Sequence, residues 1–285
     1  MLGLPSEVVV SNQSTCFVIL TEARTGSNLL VSLLDSHPDI NCHSEVFHRK
    51  TVYAKPPLDA MSVEWRDAHV EEVLDAIFAD KDRGERLLAN GFKLFYYHKP
   101  KLILRLARDP KVKFIVLRRN DKLSQYSSRK IALKTGRWAG PKENRGETNS
   151  AADEKPRGGG QAKVKYSVWG HLTYSIFSEL CYYVAMRVLA HFGAKTVQVR
   201  YEDLVTDLGG QMREVLSFLQ LPEADLSTEL ERQNSPDVID RFSNQQWARR
   251  SVAAQEKVAA FLRKFASQFG RAKSWYRSKN IKQPR

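Results

Sequence analysis

Short apolar runs alternate with amphipathic stretches along most of the chain. Runs rich in β-branched and aromatic residues predict four buried strands, at residues 15–20, 91–97, 113–117 and 196–200. Apolar residues at helical spacing predict helices that begin near Ser27 and then cover residues 63–79, 101–108, 121–135, 169–192, 212–219 and 252–269. Strands that alternate with helices indicate an α/β fold with a mainly parallel sheet, whose ligand should lie at the carboxyl ends of the strands.

One interior stretch departs from this pattern. Residues 140–164 are rich in Gly, Pro, Asn, Glu and Lys and contain Gly158-Gly159-Gly160, so we predict a long mobile loop there. The chain of 285 residues has the length of one large domain, and we expect a single domain over residues 1–285. Residues 270–285 are basic, and we expect them to form a loose tail.

The turn after the first strand has the composition of an anion site. It reads Arg24-Thr25-Gly26-Ser27-Asn28 and leads into a helix, so free backbone N–H groups and the positive end of the helix dipole would face one pocket. Gly26 allows close approach, Arg24 adds a guanidinium, and the polar neighbours add side-chain donors. The alternative is an ordinary turn capped by Ser27. The GxxxxGK[ST] pattern of a Walker A loop occurs nowhere in the chain, which argues against ATP or GTP hydrolysis.

The third predicted strand repeats this arrangement. It delivers Arg118 and Arg119 to its carboxyl end, and the following helix carries Ser127 eight residues after Arg119. This spacing would let the Arg119 and Ser127 side chains bind the same terminal phosphate. The alternative is an exposed Arg pair at a strand end, although two anion sites on adjacent strands are less easily dismissed than one.

Charge is distributed unevenly along the chain. The formal net charge is +13, and residues 81–145 hold 19 Lys and Arg against 5 Asp and Glu. Residues 241–285 hold 12 against 1, whereas the remaining blocks are acidic. Two basic blocks in an otherwise acidic chain favour a polyanionic partner: a nucleic acid, an anionic membrane or a nucleotide with several phosphates. A solvated basic face with a loose basic tail is the alternative.

Cysteine content and hydropathy bear on the compartment. Cys16, Cys42 and Cys181 are odd in number and widely spaced, so we expect free thiols in a reducing environment. No apolar run reaches the length of a membrane span, and the N-terminus lacks the basic-then-apolar order of a signal peptide. We therefore expect a cytoplasmic protein.

The ordered motifs resemble those of a known family. A turn of the type Arg-x-Gly-Ser after the first strand, followed by a strand-Arg-Asn…Ser segment, is similar to the signature pair of sulfotransferases that use 3′-phosphoadenosine-5′-phosphosulfate (PAPS). The chain most resembles the bacterial trehalose 2-sulfotransferase group, over roughly residues 15–245. The matching pieces are Arg24-Thr25-Gly26-Ser27-Asn28-Leu29-Leu30, Glu45-Val46-Phe47, Gly91-Phe92-Lys93-Leu94, residues 121–128, Lys134-Thr135-Gly136-Arg137-Trp138 and Glu231-Arg232-Gln233. Tyr201-Glu202-Asp203-Leu204 matches sulfotransferases generally.

The resemblance implies a fold, an activity and a donor. The fold would be a P-loop-like central parallel sheet flanked by helices. The enzyme would transfer a sulfonate from PAPS to a hydroxyl of a carbohydrate or glycolipid acceptor. Residues 24–29 would bind the 5′-phosphate and the sulfonate, and this set comprises Arg24, Thr25, Gly26, Ser27, Asn28 and Leu29.

The resemblance leaves the 3′-phosphate ligand open. Arg119 would bind it together with Ser127, to which the cytosolic sulfotransferases point, or Ser128, to which a gapless match to the trehalose group points. The Arg-Lys-Gly motif of the cytosolic branch is missing from this sequence, so Arg232 and Gln233 are the candidate substitutes on the adenine side.

Sulfuryl transfer needs a base for the acceptor's proton and cations for the sulfonate and the leaving phosphate. Glu45 is the candidate base, because the turn at His37-Pro38 can return the chain towards Arg24 and because it matches the family's Glu. Arg24 would stabilise the bridging oxygen, and Lys93 can share that role. The competing interpretations are a surface pair of Glu45 with Arg49 and a strand-edge charge at Lys93.

Two further expectations concern a metal and the acceptor. No metal is required for this chemistry, and His37, His43 and His48 lack metal-site spacing, so we expect no metal. Trp138 is a candidate for stacking on a sugar ring, with a packing anchor as the alternative.

Two other functions stay open on the sequence alone. A P-loop nucleotide kinase shares the strand-turn-helix arrangement, although its Lys signature is missing here. A nucleic-acid-binding module would use the two basic blocks, but it would need basic side chains interleaved with exposed aromatic residues on one face, so we expect no nucleic-acid partner. The identity of the acceptor and the oligomeric state, including a homodimer, also stay open.

Overall fold

The computed structural model describes residues 14–79, 87–138, 162–230 and 237–254. Its strands are β1 (Thr15–Thr21), β2 (Ile40–His43), β3 (Ala89–Phe95), β4 (Val112–Arg118) and β5 (Thr196–Arg200). They form one sheet in the order β2-β3-β1-β4-β5, and each neighbouring pair is parallel. The helices are α1 (Ser27–Asp35), α2 (Val63–Ala68), α3 (Val70–Phe78), α4 (Pro100–Ala107), α5 (Lys122–Thr135), α6 (Val168–His191), α7 (Tyr201–Thr206) and α8 (Leu208–Leu219). The predicted α/β fold with a parallel sheet flanked by helices is confirmed.

Helices cover both faces of the sheet. On one face α3, α4 and α6 pack apolar side chains around Phe92 and Phe114. On the other face α1 and α8 pack around Phe17 and Ile115. The strands are therefore buried on both faces, which is why they read as continuous apolar runs rather than alternating ones. Because β1 lies between β3 and β4, the carboxyl ends of these three strands meet at the same edge of the sheet.

All four predicted strands are present, but the apolar pattern does not predict β2. This strand is only four residues long and contains the polar residues Asn41 and His43. Its residues are nevertheless all buried, because it pairs with β3 at the edge of the sheet. A short strand with polar side chains cannot be recognised from its own residues, because only its pairing with a neighbouring strand defines it.

Two predicted helices have different bounds. The helix predicted at residues 63–79 is two helices, α2 and α3, because the backbone leaves the helical conformation at His69. Helix α8 begins at Leu208 rather than at residue 212, since the Asp207 side chain accepts a hydrogen bond from the backbone of Gly210 and caps a glycine-containing first turn. Glycine is a poor helix former, so the pattern alone does not favour that turn.

The predicted loop and the C-terminal segments lie largely outside the described residues. Within the described part, the prediction that the mobile loop extends to residue 164 is wrong, because Val164 is buried and pairs with Phe242. Both side chains belong to an apolar cluster with Tyr166. Residues 245–254 are helical, so the predicted C-terminal helix begins earlier than residue 252, and residues 255–285 are not described.

Two observations concern the cysteines and the predicted absence of a membrane span. Cys16, Cys42 and Cys181 are all free thiols. No helix in the described ranges is both long and apolar enough to cross a membrane.

Candidate active site

The turn between β1 and α1 has the backbone geometry that the predicted anion site requires. Gly26 occupies the N-cap position of α1 with a φ of 83°, and no side chain caps the helix. The alternative in which Ser27 caps the helix is wrong, because Ser27 is the first helical residue and is buried. The first N–H groups of α1 and the positive end of its dipole thus receive no side-chain partner at the N-cap, which is the condition for anion binding there.

Some of the predicted donors in this turn are used within the protein. The Thr25 hydroxyl donates to the Glu22 carbonyl at 2.9 Å and lies 2.7 Å from the Thr21 hydroxyl. Thr21 in turn donates to the Leu117 carbonyl at 2.9 Å, which ties the end of β1 to the end of β4. The Thr25 side chain therefore fixes the shape of the loop instead of facing a ligand.

Arg24 connects this loop to α5. Its Nε donates to Ser128 Oγ at 2.8 Å, and its Nη1 donates to the Trp138 carbonyl at 2.6 Å. Arg24 has a positive φ of 66°, a backbone conformation that an L-residue adopts only under constraint. Burial, followed by the charge of Arg119, lowers the pKa of Arg24 from its ordinary value.

Arg119 brings a second guanidinium to the same place. It follows β4 directly, is buried, and donates from Nη1 to the Arg24 carbonyl at 3.4 Å. Its guanidinium lies 4.3 Å from the centre of the Tyr201 ring. Its Nε is buried without a hydrogen-bond partner, and no carboxylate of the described residues pairs with it. A buried cation with an unsatisfied donor is costly, and an anionic ligand would satisfy it.

The two candidate serines face different partners. Ser128 Oγ accepts from Arg24, whereas Ser127 is fully buried and donates to the Ser124 carbonyl at 2.9 Å. Ser127 Oγ also accepts from Arg241 Nη1 at 3.1 Å. The structure therefore joins Ser128 to the side chain of Arg24, whose backbone carbonyl accepts from Arg119, and it joins Ser127 to a buried arginine of the C-terminal segment.

Residues after β5 shape both anion sites, and sequence reasoning gave them no role. A Cβ atom on Gly26 would lie 2.4 Å from Cδ2 of Tyr201, so the Tyr201 ring packs directly on the turn. Glu202 accepts from the backbone N–H groups of Asn120 and Asp121, both at 3.1 Å. Their position directly after a strand, at the same edge as Arg24 and Arg119, was a signal that could have identified them.

The N-terminus of α5 is not available to an anion in the way that α1 is. Asp121 is its N-cap and accepts from the Ser124 backbone at 2.9 Å, and Glu202 occupies the two preceding N–H groups. These carboxylates already compensate the positive end of the helix dipole. An anion bound at the end of β4 would therefore depend on side chains rather than on the N-terminus of α5.

Glu45 and Lys93 form the other side of the site. β2 ends two residues before Glu45, and Glu45 Oε1 lies 3.0 Å from Lys93 Nζ. Lys93 is 1% exposed and also donates to Asn28 Oδ1 at 2.5 Å. Glu45 thus pairs with Lys93 rather than with Arg49, and the competing surface pair is wrong. The Lys93 ammonium therefore lies between the Glu45 carboxylate and the first turn of α1 and contacts both.

A cluster that the sequence spacing does not reveal lies beside Glu45. Potential ligand atoms of Glu45, His48 and His98 all lie within 4.8 Å of one another. Burial lowers the pKa of both imidazoles, that of His98 to about 4. His48 Nδ1 accepts from the Lys50 backbone N–H at 3.4 Å. The expectation of no metal stays a prediction.

Of the remaining sequence candidates, the structure describes two and leaves two outside the described residues. Leu29 lies in the first turn of α1 and packs against the apolar face of the sheet. Trp138 is exposed, and its carbonyl is held by Arg24. Arg232 and Gln233, the candidates for the adenine side, lie outside the described residues.

Comparison with known proteins identifies the family. Residues 14–276 match the family model described as the sulfotransferase domain. A search of curated protein sequences returns no significant match.

Solved structures with a similar arrangement include three sulfotransferases. One is a sulfotransferase from Alicyclobacillus acidocaldarius, at 18% identity and a TM-score of 0.45, with 80% of this chain and 89% of that chain covered. The sulfotransferase domain from the curacin biosynthetic pathway has 16% identity and a TM-score of 0.42, covering 74% and 75%. Mouse sulfotransferase SULT7A1 complexed with PAP has 14% identity and a TM-score of 0.39, covering 74% and 60%.

The assignment rests on the domain match, which covers most of the chain. The match favours sulfonate transfer over the kinase alternative, and the expectation of no nucleic-acid partner stays a prediction. The chain belongs to the sulfotransferase family and is a PAPS-dependent sulfotransferase.

Proposed function

We propose that this enzyme transfers the sulfonate of PAPS to a hydroxyl of a carbohydrate or glycolipid acceptor without a metal ion. The observation that carries the proposal is that Arg24, after β1, contacts both Arg119, which follows β4, and Ser128 on α5. PAPS carries one phosphate at its 3′ position and a phosphosulfate at its 5′ position. Two cationic groups that converge from neighbouring strands suit a ligand with two separate anionic groups.

Residues 24–29 would hold the 5′-phosphosulfate at the start of α1. This assignment is supported by the N-terminus of α1, which has no side-chain cap. Arg119 would hold the 3′-phosphate with Ser128, because the buried Arg119 Nε has no protein acceptor and Ser128 is already beside Arg24. Ser127 is turned to Arg241, which favours Ser128 of the two serines.

Glu45 would act as the general base. The donor supplies an activated sulfonate, whose sulfur bonds to the acceptor oxygen as its bond to the 5′-phosphate oxygen breaks. Glu45 takes the proton from the acceptor hydroxyl, and Lys93 orients the carboxylate through the 3.0 Å contact. Lys93 and Arg24 would neutralise the charge that develops on the leaving phosphate. Lys93 is suited to both roles because it contacts Glu45 and the first turn of α1.

A carbohydrate acceptor is supported by aromatic side chains near the site. Trp138 is exposed while its carbonyl is held by Arg24, so its indole is available beside the site. Tyr53 is exposed as well and packs against His48, which neighbours Glu45. Flat aromatic faces with polar tips suit sugar rings. The motif resemblance adds trehalose as the specific acceptor to try, and the free cysteines support action in the cytoplasm.

The proposal is tested by incubating the full chain with sulfur-labelled PAPS and trehalose, a trehalose glycolipid or a simple phenol. We expect labelled sugar or glycolipid as the product, with no requirement for added metal. Efficient transfer to the phenol with none to either sugar acceptor would contradict the acceptor class while leaving the donor intact.

A further inference from the structure

Arg66 is a cation inside the apolar core. It lies on α2, and its side chain is 0% exposed. Its guanidinium carbon lies 5.7 Å from the centre of the ring of Phe47, which belongs to the apolar cluster around Phe92. A fully buried arginine is rare in proteins and is stable only where its charge is paired and its N–H donors are bonded. The partners of Arg66 therefore indicate its role.

The Arg66 guanidinium binds the main chain directly after Glu45. Its Nη1 donates to the carbonyl of Val46 and to the carbonyl of His48, both at 2.7 Å. The ring of Phe47, the residue between them, faces the same guanidinium. One buried side chain thus contacts all three residues that follow the proposed general base.

The segment that carries Glu45 has no regular secondary structure. Residues 44–50 belong to neither a helix nor a strand. Buried carbonyl groups in such a segment need partners other than those of a helix or a sheet. The Glu45 carbonyl accepts from the N–H of His48 at 3.0 Å, whereas the carbonyls of Val46 and His48 accept from Arg66. Arg66 therefore supplies hydrogen bonds that regular structure would supply elsewhere.

Asp67 and Lys99 hold Arg66 in place. Asp67 Oδ1 accepts from Arg66 Nε at 2.9 Å and from Nη2 at 2.7 Å. Asp67 Oδ2 accepts from Lys99 Nζ at 2.6 Å. Lys99 directly follows His98, whose imidazole lies beside the Glu45 carboxylate. The three charged side chains therefore connect the turn after Glu45 to the segment that follows β3.

Stability alone is a weak reason for a charge at this position. Replacing a buried ion pair by apolar side chains of similar volume is often neutral or stabilising, and Val46 and Phe47 already provide an apolar surrounding. A guanidinium differs from an apolar side chain because it is planar and donates in several fixed directions. Arg66 is therefore better suited to fixing the course of a backbone turn than to filling space.

We propose that Arg66 is a positioning residue for sulfonate transfer. It fixes the turn at residues 46–48 and thereby holds the Glu45 carboxylate against Lys93, at the 3.0 Å separation seen in the structure. This inference rests on the proposed role of Glu45 as the general base. Arg66 is closed off from solvent and acts through the backbone alone. Without its hydrogen bonds the turn can shift, and a misplacement of about 1 Å can cost roughly 100-fold in rate.

The test is a double-mutant cycle between Arg66→Met and Glu45→Gln in the full chain, read out as transfer of labelled sulfonate from PAPS to trehalose. Arg66→Met should lower single-turnover transfer about 10–100-fold on its own. In the Glu45→Gln background it should lower transfer by less than about twofold, because its effect passes through that carboxylate. Affinity for adenosine 3′,5′-bisphosphate should stay the same in all variants. Release of labelled sulfate to water gives the same comparison without any sugar acceptor.

Two further variants separate positioning from stability. Lys113→Met is the matched control, because Lys113 is also a buried cation that donates to a backbone carbonyl, that of Phe218 at 3.0 Å. Lys113 lies near the amino end of β4, at the opposite edge of the sheet from Arg119. Lys113→Met should lower the midpoint of urea denaturation, as Arg66→Met does, but leave transfer unchanged. Arg66→Lys keeps the charge and a donor, so it should recover part of the lost transfer.

Three results would overturn the inference, and they differ from one another. Wild-type transfer in Arg66→Met would show that the turn needs no arginine. An equal loss in the wild-type and Glu45→Gln backgrounds would show a structural defect, since the effect would then be independent of the carboxylate. Full transfer in Glu45→Gln alone would contradict the proposed base itself, and the role of Arg66 would fail with it.

Discussion

Arg24 Nε donates to Ser128 Oγ at 2.8 Å, so the loop after β1 and the second turn of α5 meet at one point. If this point holds the 3′-phosphate with Arg119, Ser128→Ala should weaken the binding of adenosine 3′,5′-bisphosphate about tenfold or more. A hydrogen bond to a charged group contributes about 1.5–3 kcal/mol, and each 1.4 kcal/mol is a factor of about ten. Isothermal titration calorimetry measures the change.

Ser127→Ala is the matched control for this prediction. Ser127 is buried and bonds to Ser124 and Arg241, so its removal should lower the free energy of unfolding by about 1 kcal/mol and leave nucleotide affinity unchanged. If Ser127→Ala cost more affinity than Ser128→Ala, the 3′-phosphate would have to be assigned to Ser127.

Glu45→Gln should separate catalysis from binding. The amide keeps the shape of the side chain and can still accept from Lys93, but it cannot take a proton from the acceptor. We expect turnover to fall by about 10²–10⁴-fold, the range attributed to a general base, while affinity for adenosine 3′,5′-bisphosphate stays the same. Single-turnover transfer assays and calorimetry give the two values.

Glu179→Gln serves as the comparison, since Glu179 on α6 also pairs with basic side chains, but with Arg118 and Lys122 instead of Lys93. It should keep turnover near the wild-type rate. A joint loss of turnover and nucleotide affinity in Glu45→Gln would show that Glu45 has a structural role through Lys93.

Gly26→Ala should damage both the fold and the donor site. The new Cβ would lie 2.4 Å from the Tyr201 ring, at a position whose φ of +83° L-residues rarely adopt. We expect a loss of more than about 1 kcal/mol in the free energy of unfolding and weaker binding of the bisphosphate. Urea denaturation and calorimetry measure the two effects.

Gly136→Ala isolates the backbone contribution. Gly136 has a φ of +74°, but a Cβ there would meet nothing within 4 Å. Gly136→Ala should therefore lower the free energy of unfolding by less than Gly26→Ala does. The difference between the two losses measures the cost of the clash between the new Cβ at residue 26 and the Tyr201 ring. Equal losses at the two positions would mean that Tyr201 does not pack on the turn.

Removal of metal should leave turnover unchanged. Although Glu45, His48 and His98 lie close together, Lys93 already pairs with Glu45 and His48 Nδ1 already accepts a backbone N–H. A divalent cation would have to displace both contacts next to an ammonium group. Transfer assays after dialysis against a chelator, with elemental analysis of the protein, test this expectation. Activity lost with the chelator, restored by Zn²⁺ and absent in His98→Ala would assign a metal site instead.

The positions of the two candidate anion sites could be predicted from local sequence, because each is carried by one strand and the residues that follow it. Arg119 comes directly after β4 and Arg24 comes three residues after the end of β1, so topology places both at one edge of the sheet. The choice between Ser127 and Ser128 could not be made, because it depends on the rotation of α5 against Arg241, a residue more than a hundred positions further along.

The acceptor side was harder to predict for a related reason. Glu45 reaches the site through β2, whose pairing with β3 has no signature in its four residues. His98 approaches Glu45 and His48 only through tertiary packing, so spacing in the sequence could not reveal the cluster. Tyr201 and Glu202 are exceptions, since their place directly after β5 was visible and only their roles were not.

The central claim is that Arg119 binds the 3′-phosphate of the donor. Its most direct test is calorimetry of adenosine 3′,5′-bisphosphate and adenosine 5′-monophosphate with the wild type, Arg119→Ala and Arg118→Ala, the last being a neighbour that pairs with Glu179 instead. The wild type and Arg118→Ala should bind the bisphosphate about 100-fold or more tightly than the monophosphate, and Arg119→Ala should lose that preference. If Arg119→Ala retained the full preference for the bisphosphate, the account of the donor site would be contradicted.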